Sequence, residues 1–574
     1  MTRATADSSK PPRCLLVSDF TIGGLAPILS ALSPSPALAS VVAPFDSVMP
    51  VLLDGNHACW HPAPDVALIW TRPQSVIRSF ANVAAGERVA LDQVLADVDQ
   101  FAEHVRAAAS RARTVIVPTW TWPSYDRGLG MLNLNPSSGP AYFLMRMNAH
   151  LIERLAALSN VHPLDAGRWV AAVGAGAQNP KLWHMGKIAF SPEVLTEAAA
   201  DIKAVVRAVR GEARKLVLVD LDDTLWGGIV GEVGWRNLDL GGHSPIGEAF
   251  VAFQRGLKAL TRRGVVLGIV SKNTEQVALE AIDAHPEMVL KRADFAGWRI
   301  NWRDKAENIA ELVDELNLGL ASVVFIDDSA AERARVRAAL PDVLTPEWPV
   351  DRLLYEKTLR QLDCFDTPYI GEEDRARTGM YVAERERRQL QESAQSLGDY
   401  LASLNLTVTH EPVDGSNLKR AAQLLNKTNQ MNLTTRRMPE AQFRDWAGAP
   451  QNVARLFRVA DRYGDYGLTG IASFTVQGRT ARVADFLLSC RVMGREVEKA
   501  MLAVLAEAAG RQGLDRLVAE YGPTDRNAPC LAFFAEQSGF ERDGDVFTWA
   551  LAQSYPRPAH VTIQTQEAAD ATVP

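Results

Sequence analysis

Apolar runs of strand length alternate along this chain with segments whose apolar positions recur at helical spacing. In the first third, Thr114-Val115-Ile116-Val117-Pro118 has the length and branching of a buried strand, and Met147 to Leu158 has the period of an amphipathic helix. The cleanest rhythm lies in 212–350. Leu216 to Val219 reads as a strand, and Ser244-Pro245 then opens a helix with an N-cap and a first-turn proline, closed by Gly264. Val265 to Val270 is the next strand, and a helix follows Thr274. Between Asp304 and Asn317 the residues Ile309, Leu312, Val313 and Leu316 share one helical face, and Ser322 to Ile326 is a further strand. A third block carries strand-like runs at Leu404 to Thr409 and Ala481 to Leu488 and a helix from Glu496 to Ala509. Alternating strand and helix predicts an α/β protein whose middle block is a doubly wound parallel sheet.

A chain of 574 residues exceeds what one core supports, so three domains are expected. The boundaries fall at 13–211 for the first α/β domain, 212–355 for the second and 399–554 for a mixed α+β third. A charged stretch, with Glu384-Arg385-Glu386-Arg387-Arg388, reads as a solvated helical linker within 356–398. Residues 1–12 and 555–574 are polar and are expected to be disordered.

Composition narrows the function classes. The 47% hydrophobic and 22% charged content is that of an ordinary soluble protein. A net charge of −7 gives no general attraction for nucleic acid or anionic membranes. Five cysteines without paired C-x-x-C spacing argue against a disulfide framework. No apolar run reaches spanning length, and the polar N-terminus lacks a signal core. The expectation is a reduced, cytoplasmic protein with neither nucleic acid nor membrane as partner.

The candidate chemistry sits at strand ends. Asp220 and Asp222 leave the first strand of the middle block on one side. Ser271-Lys272-Asn273 follows the second strand, Asp327-Asp328 follows the third, and Lys305 opens the helix between these two. A parallel sheet gathers such ends at one edge. Closely spaced carboxylates repel each other unless a cation or a proton intervenes, and carboxylate oxygens suit a hard cation such as Mg2+. Ser271 can donate to a phosphoryl oxygen, and Lys305 can neutralise charge that accumulates in a phosphoryl-transfer transition state.

These elements, in this order, resemble the haloacid dehalogenase superfamily of phosphotransferases. The resemblance implies that Asp220 is the nucleophile and Asp222 the general acid/base, with Ser271 and Lys305 completing the catalytic set. It implies Mg2+ as cofactor, held by the acidic residues Asp220, Asp222, Asp327 and Asp328, with either of the last two as the direct ligand. A short glycine-rich stretch, Trp226-Gly227-Gly228-Ile229-Val230-Gly231-Glu232, suits a small hairpin flap, and one helix with little else separates Ser271 from Lys305. Neither gap holds a large cap domain, which favours a bulky or protein-tethered substrate.

A narrower resemblance runs from about Trp169 to Phe547. It is carried by Leu221-Asp222-Asp223-Thr224-Leu225-Trp226-Gly227-Gly228, Asn301-Trp302-Arg303-Asp304-Lys305, Phe325-Ile326-Asp327-Asp328, the segment Asn426 to Arg437, Asp461-Arg462-Tyr463-Gly464-Asp465 and Leu488-Ser489-Cys490-Arg491-Val492-Met493-Gly494-Arg495. These are similar to the FkbH-like proteins, with Met431 where Phe is usual and Ser329 where Asn is usual. The resemblance implies an enzyme that takes a glyceryl unit from 1,3-bisphosphoglycerate, removes phosphate and loads the glyceryl group as a thioester on a holo acyl carrier protein, in polyketide-type biosynthesis.

Such a route implies a cysteine that carries the acyl group, and Cys490 is the candidate; Cys14, Cys59, Cys364 and Cys530 are left as structural. Cys490 follows an apolar strand and precedes a helix start, where Arg491, Gly494 and Arg495 are expected to hold a pantetheine phosphate. That turn resembles the pantetheine-binding turn of GNAT acyltransferases. Val17-Ser18-Asp19-Phe20 resembles the opening block of SGNH hydrolases, but their closing D-x-x-H is missing, since Asp165 and Trp183-His184 do not form it. The first domain is therefore expected to be a degenerate relative used for docking or shielding. Two rivals stand beside the transferase: a stand-alone phosphatase acting on a carrier-tethered group, and a scaffold that does no chemistry.

Overall fold

A computed structural model describes residues 11–316, 318–370, 379, 397–428, 430–438, 440–489, 492–524 and 527–566. The chain forms two compact units, Met1–Arg377 and Thr378–Pro574. No helix among the described residues is long and apolar enough to cross a membrane.

The first unit contains two parallel sheets. One has β1 (Arg13–Ser18), β2 (Ala39–Val42), β3 (Val66–Trp70), β4 (Thr114–Pro118) and β5 (Val161–Leu164) in the order β2-β1-β3-β4-β5. Every residue of β3 and β4 is buried, as strands covered on both faces require. Helices Leu91–Ala109 and Pro140–Leu155 cover one face, and Leu25–Ser30 and Pro192–Val209 cover the other. The second of these helices starts at Pro140, ahead of the expected Met147, because Phe143 and Leu144 extend its buried stripe.

The other sheet has β6 (Leu216–Val219), β7 (Val266–Ser271), β8 (Phe295–Ile300) and β9 (Val323–Ile326) in the order β8-β7-β6-β9, all parallel. The wholly apolar β6 is buried along its length. Strand β8 is an addition to the expected set. At the sheet edge it leaves Trp298 and Arg299 half-buried, so it lacks the continuous apolar run that marks its neighbours. Its Gly297 gives room to Leu312, whose Cδ1 would lie 2.8 Å from an added Cβ.

The boundary expected at 355 moves. Tyr355, Leu359 and Phe365 are buried against the middle domain, with the Tyr355 ring edge-on to Phe250 and Phe253 at 5.9 and 5.8 Å. Two short turns and one helix of six residues, Tyr355–Arg360, are too brief for their period to be read. Apart from Gly379, the charged stretch Thr378 to Gln395 lies outside the described residues, as do residues 1–10.

Among its described residues the second unit is a mixed α+β domain with nine strands: β10 (Leu406–Glu411), β11 (Met431–Asn432), β12 (Asn452–Asp461), β13 (Gly464–Gln477), β14 (Thr480–Leu488), β15 (Arg516–Glu520), β16 (Glu541–Asp543), β17 (Val546–Ala550) and β18 (Val561–Thr565). The order is β16-β17-β15-β14-β13-β12-β10-β18, with β11 beside β14. Helix Val497–Arg511 buries residues on every side, which makes it a core helix rather than an amphipathic one. The expectation of a disordered 555–574 is corrected over its first part. Val561–Thr565 alternates apolar and polar residues and pairs in parallel with β10, closing that edge; residues 567–574 lie outside the described set.

Candidate active site

The register of the middle sheet brings the carboxylates together. Val219 pairs with Ile326, so Asp220 and Asp327 leave adjacent strands side by side, and the Asp220 N–H donates to the Ile326 carbonyl at 3.0 Å. Lys305, the first residue of helix Lys305–Glu315 and 3% exposed, places its Nζ 2.6 Å from Asp327 Oδ2 and 3.1 Å from Asp220 Oδ1. That helix is capped by Asp304, which accepts from the Ala306 and Glu307 N–H groups. Carboxylate oxygens of Asp220, Asp327 and Asp328 all lie within 4.8 Å of one another. Three hard oxygen donors with one ammonium between them fit a divalent cation such as Mg2+.

Further contacts fix the acidic pair. Arg333 donates to the carbonyls of Asp327 and Asp328 at 2.8 and 2.7 Å, and the Ser329 N–H donates to Asp327 Oδ1 at 2.8 Å. Thr224, fully buried, donates to Asp328 Oδ1 at 3.3 Å and accepts from the Asp328 N–H at 3.2 Å. Ser271 is buried at the end of β7, where Val219 pairs with Ile269 and Ser271 lies two residues further on. Lys272 turns away to Glu332 at 2.6 Å.

Asp222 takes a different place from the one expected. Its carboxylate stands outside the converging cluster because donors surround it: Trp226 Nε1 at 2.9 Å and the Val230 N–H at 3.1 Å on Oδ1, and Asn273 Nδ2 at 2.8 Å on Oδ2. The side chains that converge for a cation are Asp220, Asp327 and Asp328. Asn273 and Trp226 stood in the motifs but had no role assigned to them. The legible signal for Asn273 was its position two residues past Ser271, on the same side of the strand's exit. The following Asp223 adopts a left-handed backbone (φ 55°), and its side chain accepts from the Gly228 N–H at 3.1 Å and from Arg352 at 2.7 Å. The glycine-rich stretch, turned by Gly228 (φ 96°), is closed as the expected small flap by an antiparallel pair, the Gly227 N–H donating to the Asp239 carbonyl at 3.0 Å and the Asp239 N–H to the Gly227 carbonyl at 2.9 Å, and it carries one short helix, Val230–Val233.

Electrostatics follow from burial and crowding. Burial raises the Asp327 carboxyl to about 6; the Asp220 charge adds to this and Lys305 opposes it. Burial, with Asp220 and Asp223, also raises Asp328. Asp222 is raised by burial against the pull of its hydrogen bonds. Burial alone would pull the Lys305 ammonium down, but Asp220 and Asp327 more than offset it and hold it above the ordinary range.

The sign of the pH dependence follows. Between the ordinary 3.8 and about 6, native Asp327 binds more proton than the unfolded chain does, so stability falls as pH rises. Without metal, urea midpoints of Asp327→Asn minus wild type should therefore increase from pH 4 to pH 6 and level off above, a trend that Mg2+ flattens. A difference that declines over that window would show Asp327 to be an ordinary stabilised carboxylate.

In the second unit the expected phosphate cradle is occupied from within. Arg495 is 6% exposed, donates to the Tyr466 hydroxyl and lies 3.5 Å from Asp461 Oδ2, so its charge is used inside the fold. The Gly494 N–H donates to Glu498 Oε1 at 3.0 Å, and Glu498 is itself buried. Neither group presents itself to a ligand phosphate. Cys490 and Arg491 lie outside the described residues. Cys14 and Cys530 are buried, with both thiols pushed up to about 12 by burial, and burial also raises Cys59 and Cys364.

The first sheet holds no hydrolytic triad at the expected positions. Ser18 Oγ accepts from the Phe20 N–H at 3.2 Å, and Asp19 binds Arg72 through Nε at 2.8 Å. Asp165 caps helix Ala166–Val173, and His184 is exposed.

Among solved structures, the chain is similar to the N-terminal part of the protein BF1531 from Bacteroides fragilis, described as containing a phosphatase domain complexed with Mg. The TM-score is 0.57 at 28% identity, over 63% of this chain and 96% of that one. It also matches the ribosomal-protein-S18-alanine N-acetyltransferase from Escherichia coli (TM-score 0.19, 11% identity, 25% of this chain, 94% of that one). A spermidine N-acetyltransferase from Vibrio cholerae in complex with CoA and spermine matches with TM-score 0.21 and 14% identity, over 26% of this chain and 97% of that one. Scores as low as these last two say nothing about what this chain does. No family model and no curated protein matches it.

Proposed function

We propose that the first unit is a phosphoryl-transfer enzyme of haloacid dehalogenase type, and that the whole chain uses it to load a glyceryl unit from 1,3-bisphosphoglycerate onto an acyl carrier protein. The observation that carries the reading is the convergence of Asp220, Asp327 and Asp328 around Lys305 at the C-terminal edge of a parallel sheet. Asp220, Asp327 and Asp328 would hold Mg2+, whose charge, when bound, lets an anionic phosphoryl group approach an anionic nucleophile.

The protein's own groups do the rest. An Asp220 oxygen attacks phosphorus, the bond to the leaving oxygen breaks, and Asp222 gives that oxygen a proton. Asp222 then takes a proton from the water that cleaves the aspartyl-phosphate. Lys305 and Ser271 face charge that builds on the phosphoryl oxygens. For the acyl half, the Cys490 thiolate attacks the acyl-phosphate carbonyl, phosphate leaves with the bonding pair, and the carrier's thiol displaces Cys490. Among the described residues, the stretches from Asp222 to Pro245 and from Ser271 to Phe295 hold only short helices and turns, too little chain for a cap domain, which suits a carrier-tethered substrate.

The test is intact-mass measurement after incubation with Mg2+, 1,3-bisphosphoglycerate and a holo carrier protein. The expected result is a glyceryl adduct on the carrier that disappears in Cys490→Ala, and a phosphorylated glyceryl adduct that accumulates in Asp220→Asn. Phosphate release without any acyl adduct would leave the stand-alone phosphatase. That second reading is favoured by one observation, the internal use of Arg495 and of the Gly494 N–H.

A further inference from the structure

We infer that Trp226 and Asn273 are positioning residues that clamp the Asp222 carboxyl and reserve its Oδ2 for the leaving group; this rests on the phosphoryl-transfer reading of Asp220. A carboxylate oxygen has two lone-pair directions. Oδ1 uses both, accepting from Trp226 Nε1 at 2.9 Å and from the Val230 N–H at 3.1 Å. Among the described residues, Oδ2 accepts a single bond, from Asn273 Nδ2 at 2.8 Å, which leaves its second direction for a proton. Only that oxygen has a place for the proton that the leaving group needs.

The donors come from separate elements: the turn after β6, the first residue of helix Val230–Val233, and the loop after β7. Each is held. Trp226 is fully buried, and Asn273 is 4% exposed with its own Oδ1 accepting from the Thr274 N–H at 3.0 Å. Turning Asp222 to another rotamer would break all three bonds together. The clamp thus replaces the rotamer averaging of an ordinary aspartate with one orientation, which is what proton delivery in a transition state requires. As the P–O bond breaks and Asp220 bonds to phosphorus, the proton passes from Oδ2 to the departing oxygen. In hydrolysis a water proton returns to Oδ2 while the water oxygen displaces Asp220.

Leaving-group dependence separates this role from a structural one. A departing alkoxide needs the proton, whereas para-nitrophenolate leaves without it. With full-length protein and Mg2+, Asn273→Ala and Trp226→Phe should lower kcat on glycerol phosphate by about 10²-fold. Both should keep the rate of the para-nitrophenolate burst, which reports only formation of the aspartyl-phosphate, to within about threefold, while steady-state turnover falls on either substrate because Asp222 also takes the water's proton. A loss of the para-nitrophenolate burst equal to the loss on glycerol phosphate, or no loss on glycerol phosphate, would overturn the clamp. Trp226→Phe alters a packed core, so near-UV circular dichroism accompanies it, and if that variant unfolds the Asn273→Ala kinetics alone decide. Wild-type protein that releases phosphate neither from these esters nor from 1,3-bisphosphoglycerate with holo carrier protein would overturn the phosphoryl-transfer reading itself, and the clamp with it.

Discussion

Asp220→Asn should lower phosphate release by roughly 10⁴-fold or more, with the protein still folded. The amide keeps the shape of the carboxylate but has no anionic oxygen to attack phosphorus. It also removes one of three crowded negative charges while Lys305 keeps Asp327 at 2.6 Å. Because Asp220 helps to raise the Asp327 carboxyl to about 6, its replacement should bring that carboxyl down. Single-turnover phosphate release measures the first effect, and the pH dependence of unfolding measures the second. Activity within tenfold of wild type would exclude an aspartyl-phosphate at this position.

Lys305→Met is the counterpart, and its largest effect is on stability. Lys305 is 3% exposed between two carboxylates, and removing one partner from a buried charge pair costs about 3–5 kcal/mol. The thioether fills similar space, so the loss reports charge rather than a cavity. In metal-free buffer the urea midpoint should fall accordingly, and Mg2+ should restore more stability to the variant than it adds to wild type, since the cation meets less competing charge. The double variant Lys305→Met with Asp327→Asn should recover much of the loss, because it removes a carboxylate left without its partner. A single variant as stable as wild type without metal would mean that Lys305 is not what neutralises this cluster.

How much of this was legible depended on how strongly each segment declared its period. β6 was read to its ends, because a wholly apolar run bounded by charge has one interpretation in an α/β chain. The strand ends carrying Asp220, Ser271 and Asp327 followed from it, and with them the site's location. β8 was not legible because an edge strand is half solvated and mixes Trp298 and Arg299 among its apolar residues. The place of Asp222 was hidden for another reason. Spacing says that two carboxylates emerge together, but which of them turns to the cation and which to nearby donors depends on Trp226, Val230 and Asn273 closing around one of them. The same holds for Arg495, whose partners Asp461 and Tyr466 arrive from the β12–β13 hairpin. A basic residue beside a glycine turn reads as a ligand contact until its tertiary partners are known.

The parallel seam between β10 and β18 has a consequence for the order of assembly during synthesis. Leu406 pairs with Val561 and His410 with Thr565, so that edge closes only after nearly the whole second unit has been made. Met1–Arg377 contains its own sheets and cores, and can complete them while later residues are still being added. Until Val561–Thr565 arrives, β10 offers an open row of backbone donors and acceptors to any strand nearby. The nascent chain is therefore most exposed to wrong partners late in its synthesis, through its second unit, when Met1–Arg377 is already made.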